Sequence, residues 1–160
     1  MNSDFSDLLQ ALNDEQVEYL VVGGYAVGMH TEPRYTKDID IWISNDLGNA
    51  ERVFRALSNF GAPLKDVTVG DFTDPELFFQ VGIEPARIDI LMGIEGLNFQ
   101  DCWKRKVIDL LENVKTNFIS IDDLILNKRN VGRPQDLIDA DNLELKKKIE
   151  MRLEIRLKKK

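Results

Sequence analysis

The sequence predicts an α/β (α+β) fold, a mixed twisted sheet of about four to five strands flanked by helices, ending in a helical C-terminal segment. Three observations carry this. Short runs that are apolar throughout or alternate with polar residues, VEYLVV (17–22), DIDIWI (38–43) and RIDIL (87–91), have the length and pattern of strands. Other segments repeat apolar residues at helical spacing. The chain of 160 residues is long enough for one sizeable core and short for two.

Phe5, Leu8, Leu9 and Leu12 form one helical face, which Asn13 and Asp14 end. Residues 17–22 read as a strand whose second half is apolar on both faces, as in a covered strand. Gly23 and Gly24 break it, and YAVGMH reads as a short helix starting at the glycines. Residues 31–36, with Pro33, are a loop. In residues 38–43, Ile39, Ile41 and Ile43 lie opposite Asp38, Asp40 and Trp42.

Asn45 or Asp46 caps a helix over about 47–60 with Val53, Phe54, Leu57 and Phe60 as its buried stripe, and Gly61 stops it. Residues 66–72 are a short strand or loop. Residues 77–81 and 87–91 are two strands joined by GIEP, an antiparallel hairpin, with Arg87, Asp89 and Leu91 on one face. A helix over 99–106 and a short strand over 115–119 follow. Ser120-Ile121-Asp122-Asp123 matches a capping box and opens a helix to about Arg129, which Gly132 and Pro134 interrupt; from Gln135 onward the pattern is helical again.

With 43% hydrophobic and 31% charged residues the chain has an ordinary soluble composition. Its first residues carry neither a basic nor an apolar run, so no signal peptide and no membrane span is expected. The single cysteine, Cys102, allows no intrachain disulfide and fits a cytoplasmic protein. One His beside one Cys makes no zinc set, so any metal should be oxygen-bound. The net charge of −7 is uneven: residues 146–160 hold 8 Lys or Arg and 2 Glu, leaving 13 basic and 26 acidic residues before them. Such a body repels a nucleic-acid backbone unless metal or a local basic patch intervenes. The basic tail reads first as a solvated helix end and second as such a patch.

Two carboxylates at i and i+2 on a strand share one face, roughly 6.6 Å apart along it. Asp38 and Asp40 can thus hold Mg²⁺, a hard cation that takes carboxylate and phosphate oxygens. A two-metal transfer site needs a further carboxylate, and Asp89, on a different apolar strand, is the candidate. Gly23 and Gly24 leave a buried strand and open a helix, aiming backbone N–H groups at a ligand for which phosphate is the natural chemistry. A calcium loop is excluded because Trp42 occupies its fifth position, and a P-loop because no GxxxxGK occurs.

GGYAVGMH followed by PRYTKDIDIWI resembles the DNA polymerase beta-like nucleotidyltransferase superfamily, with its GG turn, its hDhDh strand and a third acidic residue on a later strand. Within it the chain is similar to small prokaryotic nucleotidyltransferases related to the toxins of type IV abortive-infection systems. Those also carry a pattern like LILNKRNVGRPQDLIDADNL (124–143), and the likeness covers roughly residues 17–145. The resemblance implies a nucleotidyltransferase core over 1–120 and a helical segment over 121–160 packed on it, basic from about 146.

It further implies transfer of a nucleoside monophosphate from an NTP, ATP included, to an acceptor hydroxyl, with Mg²⁺ or Mn²⁺ as cofactor. Asp38, Asp40 and Asp89 would be catalytic and metal-binding, with Asp89 helping to deprotonate the hydroxyl. Gly23, Gly24, Arg34, Lys37 and Lys128 would bind the nucleotide. The acceptor is open among tRNA or other RNA, protein and a small molecule such as an aminoglycoside; an antitoxin and a second copy of the chain are candidate partners. The alternative is an inactive nucleotide- or partner-binding domain of the same fold. Lys128 and Arg133 have a plainer reading as ion-pair partners of Asp136 or Asp139, Arg87 as a salt-bridge partner of Asp89, and His30 as a packing or capping residue. Trp42 is a core aromatic or borders a nucleobase.

Overall fold

A computed structural model describes residues 3–83 and 85–158. Its elements run α1 (Ser3–Asp14), β1 (Tyr19–Val22), α2 (Gly23–His30), β2 (Asp38–Ile43), α3 (Leu47–Phe60), a 3-10 turn (Val69–Thr73), β3 (Phe78–Val81), β4 (Arg87–Leu91), α4 (Phe99–Lys104), β5 (Val107–Leu111), β6 (Val114–Phe118), α5 (Ile121–Val131) and α6 (Pro134–Lys158). One sheet of six strands in the order β3-β4-β2-β1-β6-β5 holds them together. Pairings β2/β4 and β1/β6 are parallel and the others antiparallel, so the sheet is mixed.

The interior follows from the alternation. Ile39, Ile41 and Ile43 are fully buried, as are Phe5, Leu8, Leu9 and Leu12 of α1. All of β1 is buried, which its unbroken apolar run requires. Asp46 caps α3 by accepting from the Asn49 backbone, and Gly61, at φ +96°, ends it in the left-handed conformation that glycine adopts without strain. The buried stripe of α3 is Asn49, Ala50, Val53, Ala56 and Leu57; Phe54 and Phe60 sit at its margin. Trp42 is only 2% exposed, with its ring edge-on to Phe99 at 5.1 Å. It is a core aromatic.

Two expectations are corrected. The sheet has six strands because residues 107–111 pair with 114–118. Glu112 and Asn113 both take positive φ (48° and 66°), the two-residue hairpin geometry that matches strand twist. The partner strand escaped prediction because most of it is exposed, so VIDLL shows no inside-outside contrast. Residues 69–73 form a 3-10 turn in place of a strand or loop, with Thr68 and Asp71 closing a reciprocal capping box.

α5 and α6 pack on each other and touch α2, which brings the C-terminal segment beside the glycine turn. His30, at the end of α2, bonds through Nε2 to the Ile119 carbonyl at 2.8 Å. Burial lowers its pKa, against smaller opposing effects of that bond and of Glu150. Among the described residues no helix is long and apolar enough to cross a membrane.

Candidate active site

Strand register assembles the acidic cluster. The parallel pairing of β2 and β4 sets Asp40 beside Asp89 and Asp38 beside Arg87, while β1 sets Val22 beside Asp40 and β3 sets Gln80 beside Asp89. Directly paired residues share a face, so one row crosses four strands as Val22, Asp40, Asp89, Gln80. Asp38, Asp40 and Asp89 each present an oxygen within 4.8 Å of the others.

Three carboxylates this close repel one another. Burial, then the charges of Asp38 and Asp89, push Asp40 up to about 7, with Lys128 acting the other way. Burial likewise raises Asp89, against the opposing Arg87 charge. Arg87 offsets part of the repulsion through Nη2, 2.7 Å from Asp38 and 3.4 Å from Asp89. Asp89 Oδ1 is buried with no hydrogen-bond partner. An orphaned buried carboxylate oxygen inside an all-oxygen cluster fits a hard divalent cation such as Mg²⁺ or Mn²⁺.

The glycine turn adjoins the cluster. Gly23 has φ +66°, and a Cβ there would overlap Asp40 Oδ2; a Cβ on Gly24 would come within 2.6 Å of Thr36 Cγ2. Both glycines are therefore required by close approach. No side chain caps the N-terminus of α2, which leaves its first N–H groups for a ligand.

A cavity of about 1040 Å³ joins these parts, lined among others by Gly23, Gly24, Lys37, Asp38, Asp40 and Lys128. Arg34 and Lys128 line it too, yet both are paired. Arg34 Nη1 and Nη2 lie 2.8 and 3.2 Å from the Asp139 carboxylate. Lys128 Nζ lies 3.3 Å from Asp136 and 3.2 Å from Asp139, and Arg133 Nε 2.7 Å from Asp136. Burial alone would raise the Asp139 carboxyl; bonds from Arg34, Gln135 and Lys128 outweigh it and hold the pKa below the ordinary value.

Of the predicted residues, Gly23, Gly24, Arg34, Lys37, Asp38, Asp40 and Lys128 line one cavity, and Asp89 on β4 joins them through its approach to Asp38 and Asp40. Sequence reasoning named Asp139 as an ion-pair partner for Lys128 or Arg133, which the Lys128 pair bears out, but missed its bonds to Arg34, which join loop 31–37 to α5 and α6. The spacing of Asp136 and Asp139, on one side of a helix, was the available signal. It also missed the Arg87 bond to Asp38, which only the register reveals, and the buried, unpartnered hydroxyl of Thr36.

A mixed sheet with a glycine turn opening a helix, an Asp-x-Asp strand and a third aspartate in register define the nucleotidyltransferase class. Residues 3–159 match the family described as "Nucleotidyltransferase of unknown function (DUF6036)", and the chain belongs to it. It is accordingly a transferase that moves a nucleoside monophosphate. The crystal structure of the lincosamide antibiotic adenylyltransferase LnuA with lincomycin bound is similar (TM-score 0.58, 19% identity, 90% of this chain and 96% of that one). So is a protein of Thermotoga maritima named as a nucleotidyltransferase (TM-score 0.59, 20% identity, 82% and 84%). These likenesses are in fold. Among curated proteins none matches the sequence.

Proposed function

We propose that the chain transfers a nucleoside monophosphate from an NTP to the hydroxyl of a small molecule in a reaction that depends on Mg²⁺. The convergence of Asp38, Asp40 and Asp89 beside the Gly23-Gly24 turn is the observation that carries this reading. Those three carboxylates would hold the divalent cation, which supplies charge neutralisation at the phosphates and lowers the barrier to proton loss from the acceptor.

The chain's own groups do the rest. Backbone N–H groups at the start of α2 hold the triphosphate, with Lys37, Lys128 and Arg34 at the wall of the same cavity. Asp89, within the same carboxylate cluster, helps take the proton of the acceptor hydroxyl. The acceptor's oxygen, relieved of its proton, bonds to the α-phosphorus as the bond to pyrophosphate breaks, and pyrophosphate leaves toward α2. Positioning and electrostatics account for most of the catalysis.

A small-molecule acceptor is favoured over RNA by the acidic body, 26 acidic against 13 basic residues before residue 146. LnuA, of similar fold, binds lincomycin, which is consistent. The test is incubation with Mg²⁺, each α-labelled NTP and either cell-extract metabolites or total RNA, beside Asp38→Ala and Asp40→Ala. Label should move to a small molecule and only with both aspartates present; a wild-type protein that binds no NTP would end this reading.

A further inference from the structure

We infer that Thr36 is a further nucleotide-binding residue, whose hydroxyl turns to donate a hydrogen bond to a phosphate oxygen held at the start of α2. This rests on the transferase reading above and adds a group to the phosphate side of that site. The sign is a hydroxyl that the fold leaves unpaired. Thr36 Oγ1 is closed off from solvent and has no hydrogen-bond partner. Other threonines are settled within the fold: Thr31, Thr73 and Thr116 each donate to a backbone carbonyl at 2.7 or 2.8 Å. A buried hydroxyl without a partner costs free energy, and nothing in the packing of loop 31–37 offsets that cost.

Its position supplies a reason. Thr36 lies over Gly24, the second residue of α2, and a Cβ on that glycine would come within 2.6 Å of Thr36 Cγ2. The threonine methyl thus fills the space beside the α2 N-terminus that a side chain at position 24 would take. No side chain caps that N-terminus, and both Thr36 and Gly24 line the cavity that holds Asp38, Asp40 and Lys128. Arg34 brings a cation to the same place, its Nη2 3.6 Å from the Gly24 Cβ position. Of the two branches of Thr36, the methyl is therefore the one set against groups that favour an anion.

Rotation by about 120° about the Cα–Cβ bond brings the hydroxyl to the place of the methyl, from one staggered well to another. The hydroxyl is no larger than the methyl it replaces. The backbone on either side is restrained, by the two Arg34 bonds to the Asp139 carboxylate and by the start of β2 at Asp38, so the side chain alone has to turn. Beside Gly24 the hydroxyl donates to a phosphate oxygen, a charge-assisted bond. Phosphate binding thereby gives the orphaned group a partner, and Thr36 contributes to affinity for the nucleotide without contributing to the fold.

That opposition between binding and stability is what the test reads. Thr36→Val keeps the branched shape and removes the hydroxyl; Thr36→Ser keeps the hydroxyl. The full chain is titrated calorimetrically in Mg²⁺ with each of the four NTPs, and each variant is melted without nucleotide. Thr36→Val should bind the NTP about ten-fold more weakly than the wild type and melt at an equal or higher temperature, since the unpaired group is gone. Thr36→Ser should bind like the wild type. Unchanged NTP binding by Thr36→Val, weak binding by Thr36→Ser, or a lower melting temperature for Thr36→Val overturns the inference and leaves the transferase reading standing. A wild-type chain that binds none of the four NTPs overturns both.

Discussion

Gly23 and Asp40 are in such close register that a methyl group on the glycine would overlap the aspartate's Oδ2. The glycine turn and the aspartate strand therefore cannot be changed independently.

Gly23→Ala should damage both. At φ +66° alanine is strained, and the overlap with Asp40 adds to it, for a loss of about 1–3 kcal/mol. Urea denaturation would report the destabilisation, and Mn²⁺ titration should show weakened metal binding in the fraction that folds.

Asp40→Asn separates stability from chemistry. Burial and two neighbouring carboxylates already raise Asp40 to about 7, so a neutral residue should leave the metal-free protein as stable or more so. Transfer activity should fall at least about 100-fold. Saturating Mg²⁺ or Mn²⁺ should raise the wild-type melting temperature, equivalent to about 2.7 kcal/mol at a hundred times Kd, and chelation should reverse it. No such rise is expected for Asp40→Asn.

Asp139 carries a buried network, and its side chain is 2% exposed. Asp139→Ala leaves Lys128 and Arg34 without their shared partner, and about 3 kcal/mol of stability should be lost. Lys128→Met in the same chain should restore part of it, which a double-mutant cycle in urea would measure.

His30 gives one component of the pH dependence, opposite in sign to that of Asp40, whose carboxyl at about 7 favours the folded chain as pH falls. The folded pKa of His30 is below the ordinary 6.5, so the unfolded chain takes up the proton first as pH falls. Stability contributed by neutral His30 is complete above 6.5 and is lost as pH drops through that value toward the folded pKa. His30→Gln keeps a donor for the Ile119 carbonyl but does not titrate. Thermal melts at about pH 7.5 and 5.5 should show this variant gaining stability relative to the wild type at the lower pH.

Much of this site was legible in the sequence because local rules write it: two glycines after an apolar strand, and two aspartates at period two. Asp89 was legible as a candidate, but its meeting with Asp40 depends on β4 pairing with β2, a non-local choice that chain order does not state. Arg87 and Asp38 illustrate the same gap, since 49 residues separate them in sequence and 2.7 Å in space. For β5 the difficulty was different: a strand with most of its length in solvent needs no inside-outside pattern, and only its Glu112-Asn113 turn betrays it.

The parallel pairing of β2 with β4 makes this enzyme sensitive to a fault that stability assays would overlook. If β4 slid by one residue, Asp89 would turn to the opposite face and Ile88 or Ile90 would come up beside Asp40. A misassembled population could keep near-native strand content and still be chemically silent. Metal-dependent melting, which the proposed site would give only in the correctly threaded sheet, would therefore be the assay that counts competent molecules in a preparation.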